Sequence, residues 1–209
     1  MKERLVLIGG GGHARVLMEL ISLSDSLEVE AVLDPNLAPG TFVSGIKVAG
    51  GDGLLPGLFS RGVRYACVAV GSVKDNTRRA SIYKKLKEAG FSLPRLMHPK
   101  AFISGSADIN EGAQVMAAAV VQAGSSIGAN TIVNSGAIVE HDCRIGNHVH
   151  LSPGSVISGG SVIEEGAFVG AGATVIQGVR VGERAIIAAG AVAVGDVAPG
   201  VLVKGVPAA

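Results

Sequence analysis

IGANTIVNSGAIVEHDCRIGNHVHLSPGSVISGGSVI, residues 127–163, decides the fold. Within it Ile127, Val133, Val139, Ile145, Leu151, Ile157 and Ile163 recur every sixth residue. The same register runs back through Val121, Val115 and Ile109 to Ile103, and forward through Val169, Val175 and Val181 to Ile187, with no place skipped. Four residues after most of these comes a small side chain, as at Ala107, Ala113, Ala119, Ser125, Thr131, Ala137, Cys143, Ser155, Ser161, Ala167 and Ala173. Glycine commonly stands between the two rows. A period of six is neither the 3.6 of a helix nor the two of an ordinary strand, so the array reads as short strands joined by tight turns. Stacked coils bury the aliphatic row, and glycine suits turns that need positive φ or crowded backbone. With 31 Gly, no Trp and 3% aromatic residues, this core is built without large side chains.

The first hundred residues follow another rule, in which strand and helix signals alternate as in a βαβ unit. Leu5 to Ile8 reads as a buried strand, Gly9 to Gly12 as a tight turn, and Ala14 to Leu23 as a helix with Val16, Leu17, Leu20 and Ile21 on one side. Strands are expected at Val29 to Leu33 and Tyr65 to Val70, and a basic helix from about Asn76 to Ala89. Gly9 to Ala14 fits GxGxxA, and Asp34 stands about twenty residues on, where a dinucleotide fold places an acid for a ribose hydroxyl. Three or four strands are too few for a full dinucleotide fold. Bare amides at a helix start suit the diphosphate of a nucleotide sugar equally well. A structural turn alone needs one or two glycines, whereas four followed by His13 favour a ligand.

Eighteen basic and seventeen acidic residues leave a net charge of +1, which offers no footprint for nucleic acid or an anionic membrane. The apolar run at Leu5 to Ile8 is too short for a signal or spanning helix before its four glycines. Cys67 and Cys143, both in apolar runs, fit a reduced cytoplasmic setting and not a disulfide framework. Cys143 falls on an inward small-residue position and reads as packing.

Three of the five histidines lie in VEHDCRIGNHVHL, residues 139–151. His141 is the third residue of its hexad, off the inward row and close to a turn, with Asp142 beside it. A carboxylate next to an imidazole stabilises the imidazolium formed when the ring takes a proton, which is the minimum for a general base. On sequence alone the same pair also fits a solvated surface turn. His148 and His150 differ by two, a spacing able to chelate, but no Cys or carboxylate set completes a zinc site, so no metal is expected.

The hexads resemble those of the hexapeptide-repeat acyltransferases, in which three hexads form one triangular coil of a left-handed parallel β-helix, an exception to right-handed crossovers. The chain as a whole resembles the sialic acid O-acetyltransferase family, which includes the N-acetyltransferases of bacillosamine and perosamine synthesis. The likeness rests on Glu140, His141 and Asp142 with His150 nine residues after His141. It implies a Rossmann-like α/β domain over residues 1–98 that binds a nucleotide sugar, then a left-handed β-helix over 99–209 that binds acetyl-CoA and carries the chemistry. His141 would be the base and Asp142, where the bacillosamine enzyme has Glu, would raise its basicity. His150, Gly159, Ala171, Ala189 and Asn134 would lie on acetyl-CoA, and Gly11, Gly12, His13 and Asp34 on the nucleotide sugar. Residues VLVKGVPAA at the end resemble the family's Gly-x-Pro-Ala-Lys tail without its last basic residue, which leaves Lys204 for any phosphate contact.

The function expected from this resemblance is direct acetyl transfer from acetyl-CoA to the 4-amino group of a UDP- or GDP-linked 4-amino-4,6-dideoxy sugar, in a homotrimer with sites between subunits. O-acetylation of a hydroxyl such as that of sialic acid, or a non-catalytic nucleotide-binding scaffold, are the alternatives from the sequence.

Overall fold

The computed structural model of the protein describes residues 2–72 and 75–208. The chain forms two compact units, one of residues 1–71 and 78–94, the other of 72–77 and 95–209.

The first unit is an α/β layer built on β1 (Glu3–Ile8), α1 (Gly12–Ser22), β2 (Leu27–Leu33), β3 (Phe42–Val43), β4 (Ile46–Gly50), α2 (Leu55–Ser60), β5 (Tyr65–Val68) and α3 (Thr77–Glu88). The sheet order is β3-β4-β2-β1-β5, with β1 parallel to both β2 and β5, and β2 parallel to β4. Leu5, Val6, Leu7 and Ile8 are all buried, as a central parallel strand covered on both faces must be. On α1 the buried Ala14, Leu17, Met18 and Ile21 recur at helical spacing. Three of these strands are expected from the sequence, and the other two come from the antiparallel β3–β4 hairpin. Its turn, Ser44 and Gly45, has φ of 44° and 82°, the double positive φ of a type I′ turn whose twist suits a two-residue hairpin. The Ser-Gly pair was the signal for it.

In the second unit all the short strands from Leu96 to Val203 pair in parallel, and from Leu96 to Val175 each pairs with the strand 18 residues on, whereas Ile186–Ile187 pairs with Leu202–Val203, 16 residues on. They form the three sides of a left-handed β-helix. The first face runs from Phe102–Ile103 through Val120–Val121, Ile138–Val139, Val156–Ile157 and Thr174–Val175 to Val192–Ala193. The second runs from Asp108–Ile109 through Ser126–Ile127, Arg144–Ile145 and Val162–Ile163 to Arg180–Val181. The third runs from Leu96–Met97 through Gln114–Val115, Ile132–Val133, His150–Leu151, Phe168–Val169 and Ile186–Ile187 to Leu202–Val203. Leu96–Met97 pairs with Gln114–Val115, so the first coil starts ahead of the boundary expected after residue 98.

The aliphatic row fills the interior from Ile109 to Ile187. The second inward row carries small polar groups for a reason: Thr131 Oγ1 donates to Gly146 O at 2.8 Å and accepts from Val149 N at 3.1 Å. Ser125 makes the same pair of bonds with Glu140 O and Cys143 N. These hydroxyls satisfy corner groups that the ladder leaves over, which would be costly to bury unpaired. Cys143 stands in this row, and its thiol donates to Ser158 O at 3.2 Å. Burial pushes that thiol's pKa up, which suits packing and not nucleophilic attack.

Two kinds of glycine support the coils. At Gly136 φ is +65° and the space around a Cβ is open, whereas a Cβ on Gly128 would lie 2.4 Å from the backbone of Gly146 in the next coil. Gly136→Ala is therefore expected to cost about 1 kcal/mol, the penalty of the left-handed conformation. Gly128→Ala is expected to cost about 3 kcal/mol, because overpacking at a backbone contact forces the coils apart. Denaturant melts of the two variants would check the order.

Candidate active site

After Val139 the chain leaves the first face and turns through Glu140, His141 and Asp142 to reach the second. Asp142 occupies the corner position with φ of +59°, a left-handed conformation that Asp accepts more readily than most residues. His141 Nδ1 and Asp142 Oδ2 are 2.9 Å apart. A carboxylate accepts only, so Nδ1 carries the hydrogen and Nε2 is left as the basic atom. Glycines of the neighbouring coils make room for the pair. A Cβ on Gly124 would lie 2.6 Å from Asp142 Oδ1, and one on Gly159 would lie 2.6 Å from His141 Nε2. Both side chains are more than half exposed, at 58% and 72%, so neither supports the core.

A cavity of about 520 Å³ lies on the third face and the corner beyond it. Its walls include His150, Phe168, Ala171, Ala189, Lys204 and Ser72. His150 is buried, stands edge-to-face on Phe168 with centroids 5.3 Å apart, and meets Asn134 Nδ2 through Nε2 at 3.1 Å. Its Nδ1 lies 3.0 Å from both the hydroxyl and the carbonyl oxygen of Ser72. The cavity thus gathers His150, Ala171 and Ala189 from the expected acetyl-CoA set, with Asn134 behind the histidine and Lys204 at the wall.

Gly159 is not with them. It lies against the His141 ring, at the corner joining the first and second faces. In a three-sided coil that corner is opposite the third face. His141 and the cavity therefore cannot meet within one chain, a relation that follows from the order of the faces.

In the first unit the glycine turn divides into two pairs. Gly9 has φ of +111°, and a Cβ there would lie 2.8 Å from Val70 Cγ2; on Gly10 it would lie 2.6 Å from Leu37 Cδ1. A Cβ on Gly11 or Gly12 would meet nothing within 4 Å beyond its own stretch of chain. Packing thus explains two of the four glycines, and the other two open the start of α1, whose N-cap Gly11 makes no side-chain bond. Asp34 accepts from Gly10 N at 2.8 Å and from Asn36 N at 2.9 Å, so its carboxylate ties the end of β2 to the glycine turn. His13 packs near Gly71. On the other side of the turn, the buried Arg79 donates from Nη1 to Val68 O at 3.1 Å and Val70 O at 2.7 Å. Desolvation pulls its guanidinium down to about 10, still charged near neutral pH.

Sequence reading missed Ser72, Asn76, Phe168 and Arg79. Ser72 and Asn76 meet β-helix residues 78 to 91 positions away, and no local pattern announces such contacts. His148 is separated from His150: it occupies the corner between the second and third faces, where Nδ1 meets Asn130 Nδ2 at 2.9 Å. Among the described residues no three His, Cys, Asp or Glu side chains come together to hold a metal, and no helix is long and apolar enough to cross a membrane.

Residues 4–86 match the PglD N-terminal domain, and residues 124–159 and 160–193 match the bacterial transferase hexapeptide repeats. The perosamine N-acetyltransferase PerB of Caulobacter crescentus, solved with CoA and GDP-perosamine, is 42% identical over 98% of this chain and 95% of its own, with a TM-score of 0.92. The acetyltransferase domain of PglB from Neisseria gonorrhoeae, solved with acetyl coenzyme A, is 39% identical over 100% and 99% of the two chains, with a TM-score of 0.91. The UDP-N-acetylbacillosamine N-acetyltransferase of Bacillus subtilis is 34% identical over 115 residues, 55% of this chain; the matched stretch spans about half of that curated relative, 52%. Near-complete coverage at about 40% identity, on top of the two domain matches, leaves one conclusion: the chain belongs to the hexapeptide-repeat acyltransferase family that joins the sialic acid O-acetyltransferases to the bacillosamine and perosamine N-acetyltransferases.

Proposed function

We propose that the protein transfers the acetyl group of acetyl-CoA to the 4-amino group of a nucleotide-linked 4-amino-4,6-dideoxy sugar, of the GDP-perosamine or UDP-bacillosamine-precursor type. The observation that carries this reading is the exposed His141–Asp142 pair in its cradle of Gly124 and Gly159, which has no structural task in the coil. Similarity to enzymes named for this reaction, and solved with CoA and GDP-perosamine, supports it.

The reaction needs no acyl-enzyme. The sugar amine attacks the thioester carbonyl, a C–N bond forms, and the C–S bond breaks to release CoA as its thiolate. His141 Nε2 takes the proton lost by the amine, and Asp142 stabilises the imidazolium through Nδ1. Among the described residues the Gly159 N–H meets no acceptor, which fits it to hold the developing oxyanion beside the base.

Acetyl-CoA takes the cavity on the third face, with Ala171 and Ala189 leaving space along the corner and Lys204 available to a phosphate. The base stands at the opposite corner, so a complete site draws on two subunits of a homotrimer. The outward row of the first face supports this assembly: Phe102, Val120, Ile138, Val156, Thr174 and Val192 are apolar at all places but one. On the second face the matching row reads Asp108, Ser126, Arg144, Val162 and Arg180. The first face is bounded by the His141 corner on one side and the Ala171 and Ala189 corner on the other. Turning three such faces to a common threefold axis brings each His141 corner to the next subunit's cavity corner, a heterologous contact that closes.

The nucleotide sugar takes the glycine turn, with Gly11, Gly12 and His13 at its diphosphate and Asp34 toward the nucleoside. Two buried cysteines outside any disulfide, Cys67 and Cys143, fit the reduced cytoplasmic compartment.

Three results are expected. His141→Ala folds and binds both substrates but loses kcat by about 10²-fold or less, the low end for acid–base catalysis of an already nucleophilic amine, and Asp142→Asn is milder. Full kcat in His141→Ala across the pH range would remove His141 as the base. Asp34→Ala weakens nucleotide-sugar binding by about tenfold with little change for acetyl-CoA, because a charged acceptor is lost from the turn; calorimetry with each ligand reads the difference, and equal losses would refute it. By light scattering the protein is a trimer, and Val156→Asp dissociates it with loss of activity. A stable active monomer would refute the shared site.

A further inference from the structure

The third face carries a chain of side-chain hydrogen bonds whose two ends are fixed by backbone groups, and the fixed ends determine where every proton lies. At one end Asn76, 4% exposed, approaches Gly166 O at 3.0 Å and Ala167 O at 3.1 Å. Carbonyl oxygens only accept, so the atom facing them is Nδ2 and Oδ1 is turned to Ser72. The Ser72 hydroxyl must then donate to Asn76 Oδ1. Having spent its one proton there, Ser72 Oγ can only accept from His150, and Ser72 O, a carbonyl, can only accept as well. Both therefore place a hydrogen on His150 Nδ1.

The other end gives the same answer independently. Ser135 N–H donates to Asn134 at 2.8 Å, which identifies the receiving atom as Oδ1 and turns Nδ2 to the histidine. Asn134 Nδ2 is 3.1 Å from His150 Nε2, so Nε2 accepts and carries no hydrogen. A proton on Nε2 would face the amide hydrogens of Asn134, and Asn134 cannot reverse without losing its bond from Ser135.

We propose that Ser72 and Asn76 are positioning residues for His150: they hold it neutral, in the Nδ1–H tautomer, as a fixed wall of the cavity. The inference rests on the reading of that cavity as the acetyl-CoA site. It separates the two histidines of the motif by chemistry. His141 has Nε2 open for a proton, whereas the Nε2 lone pair of His150 is already engaged, so His150 shapes the cavity and takes no proton from the substrate. The same chain of bonds seats residues 72 and 76 on the β-helix, next to the cavity that Ser72 helps to line.

The test combines steady-state kinetics with ¹⁵N chemical shifts of the histidine side chains in the intact protein, assigned through a His150→Gln control. In the wild type, His150 should show a protonated Nδ1 and a bare Nε2. In Asn76→Ala, Asn134 and Ser72 O still keep the hydrogen on Nδ1, but the Ser72 hydroxyl loses its acceptor and its fixed orientation, so the Nδ1 signal should shift and the acetyl-CoA KM should rise about three- to tenfold, the worth of one or two neutral hydrogen bonds. The nucleotide-sugar KM should stay put. Asn134→Asp keeps the shape and offers an acceptor to Nε2, so it should leave His150 doubly protonated near neutral pH; it serves if Asn76→Ala fails to fold. A wild-type His150 protonated on Nε2 overturns the proposal, as does a lowered Tm in Asn76→Ala with the Nδ1 signal and acetyl-CoA KM unchanged. A changed Nδ1 signal with unchanged acetyl-CoA KM upholds the positioning and overturns the cavity as the acetyl-CoA site. Absence of any acetyl transfer in the wild type would sink the functional reading alone, since the tautomer still decides the hydrogen-bond chain.

Discussion

Much in this protein depends on the in-register stacking of each coil on the one 18 residues before it. Parallel strands stack about 4.8 Å apart, so each side of a coil has room inside for one branched aliphatic and one small residue and for little else. That limit explains the scarcity of aromatics and the unbroken row from Ile109 to Ile187. It also explains why the inward Ser125 and Thr131 are stabilising despite their polarity, because each hydroxyl bridges a carbonyl and an amide at the corner of the next coil. Ladder, core and corner all use the same vertical repeat, and a slip by one residue would turn the aliphatic row outward.

A structure so constrained inside leaves its corners for chemistry. The corner position takes positive φ in coil after coil, and glycine holds it in most. Asp142 holds it in the coil that carries His141, at some conformational cost, and this brings its carboxylate onto the His141 ring. The glycines above and below then have a second use beyond φ. A Cβ on Gly159 would collide with the His141 ring and one on Gly124 with the Asp142 carboxylate, so glycine at both places leaves the pair its room.

The order of the three faces sets a further condition. Because the His141 corner is opposite the face with the cavity, one chain has the histidine–carboxylate pair and the cavity on opposite sides of its β-helix. The homotrimer proposed above would join the two across subunits, and activity would then be coupled to assembly. The two histidines, nine residues apart in sequence, are thereby given different surroundings: one exposed beside a carboxylate, the other buried among amides, a hydroxyl and Phe168. Their environments, more than their identity, are the ground on which proton transfer is proposed for the first.

The sequence by itself determined the coil, its period and the buried row, since a strict repeat with small residues at fixed offsets admits one periodic packing. It also brought out the glycine turn and the His141–Asp142 pair, both of which are local, lying within a few residues. It did not reveal that Gly9 and Gly10 answer to packing while Gly11 and Gly12 stay open, because that depends on Val70 and Leu37 arriving from elsewhere in the chain. Nor could it separate Gly159 from His150, which share a likeness to one ligand set but lie on different sides of the coil. Ser72, Asn76 and Arg79 carried no signal at all, as their partners are carbonyl oxygens or side chains that only the folded chain brings near. Periodic burial is written residue by residue along the chain, whereas a hydrogen bond across 78 residues exists only once the coils have stacked.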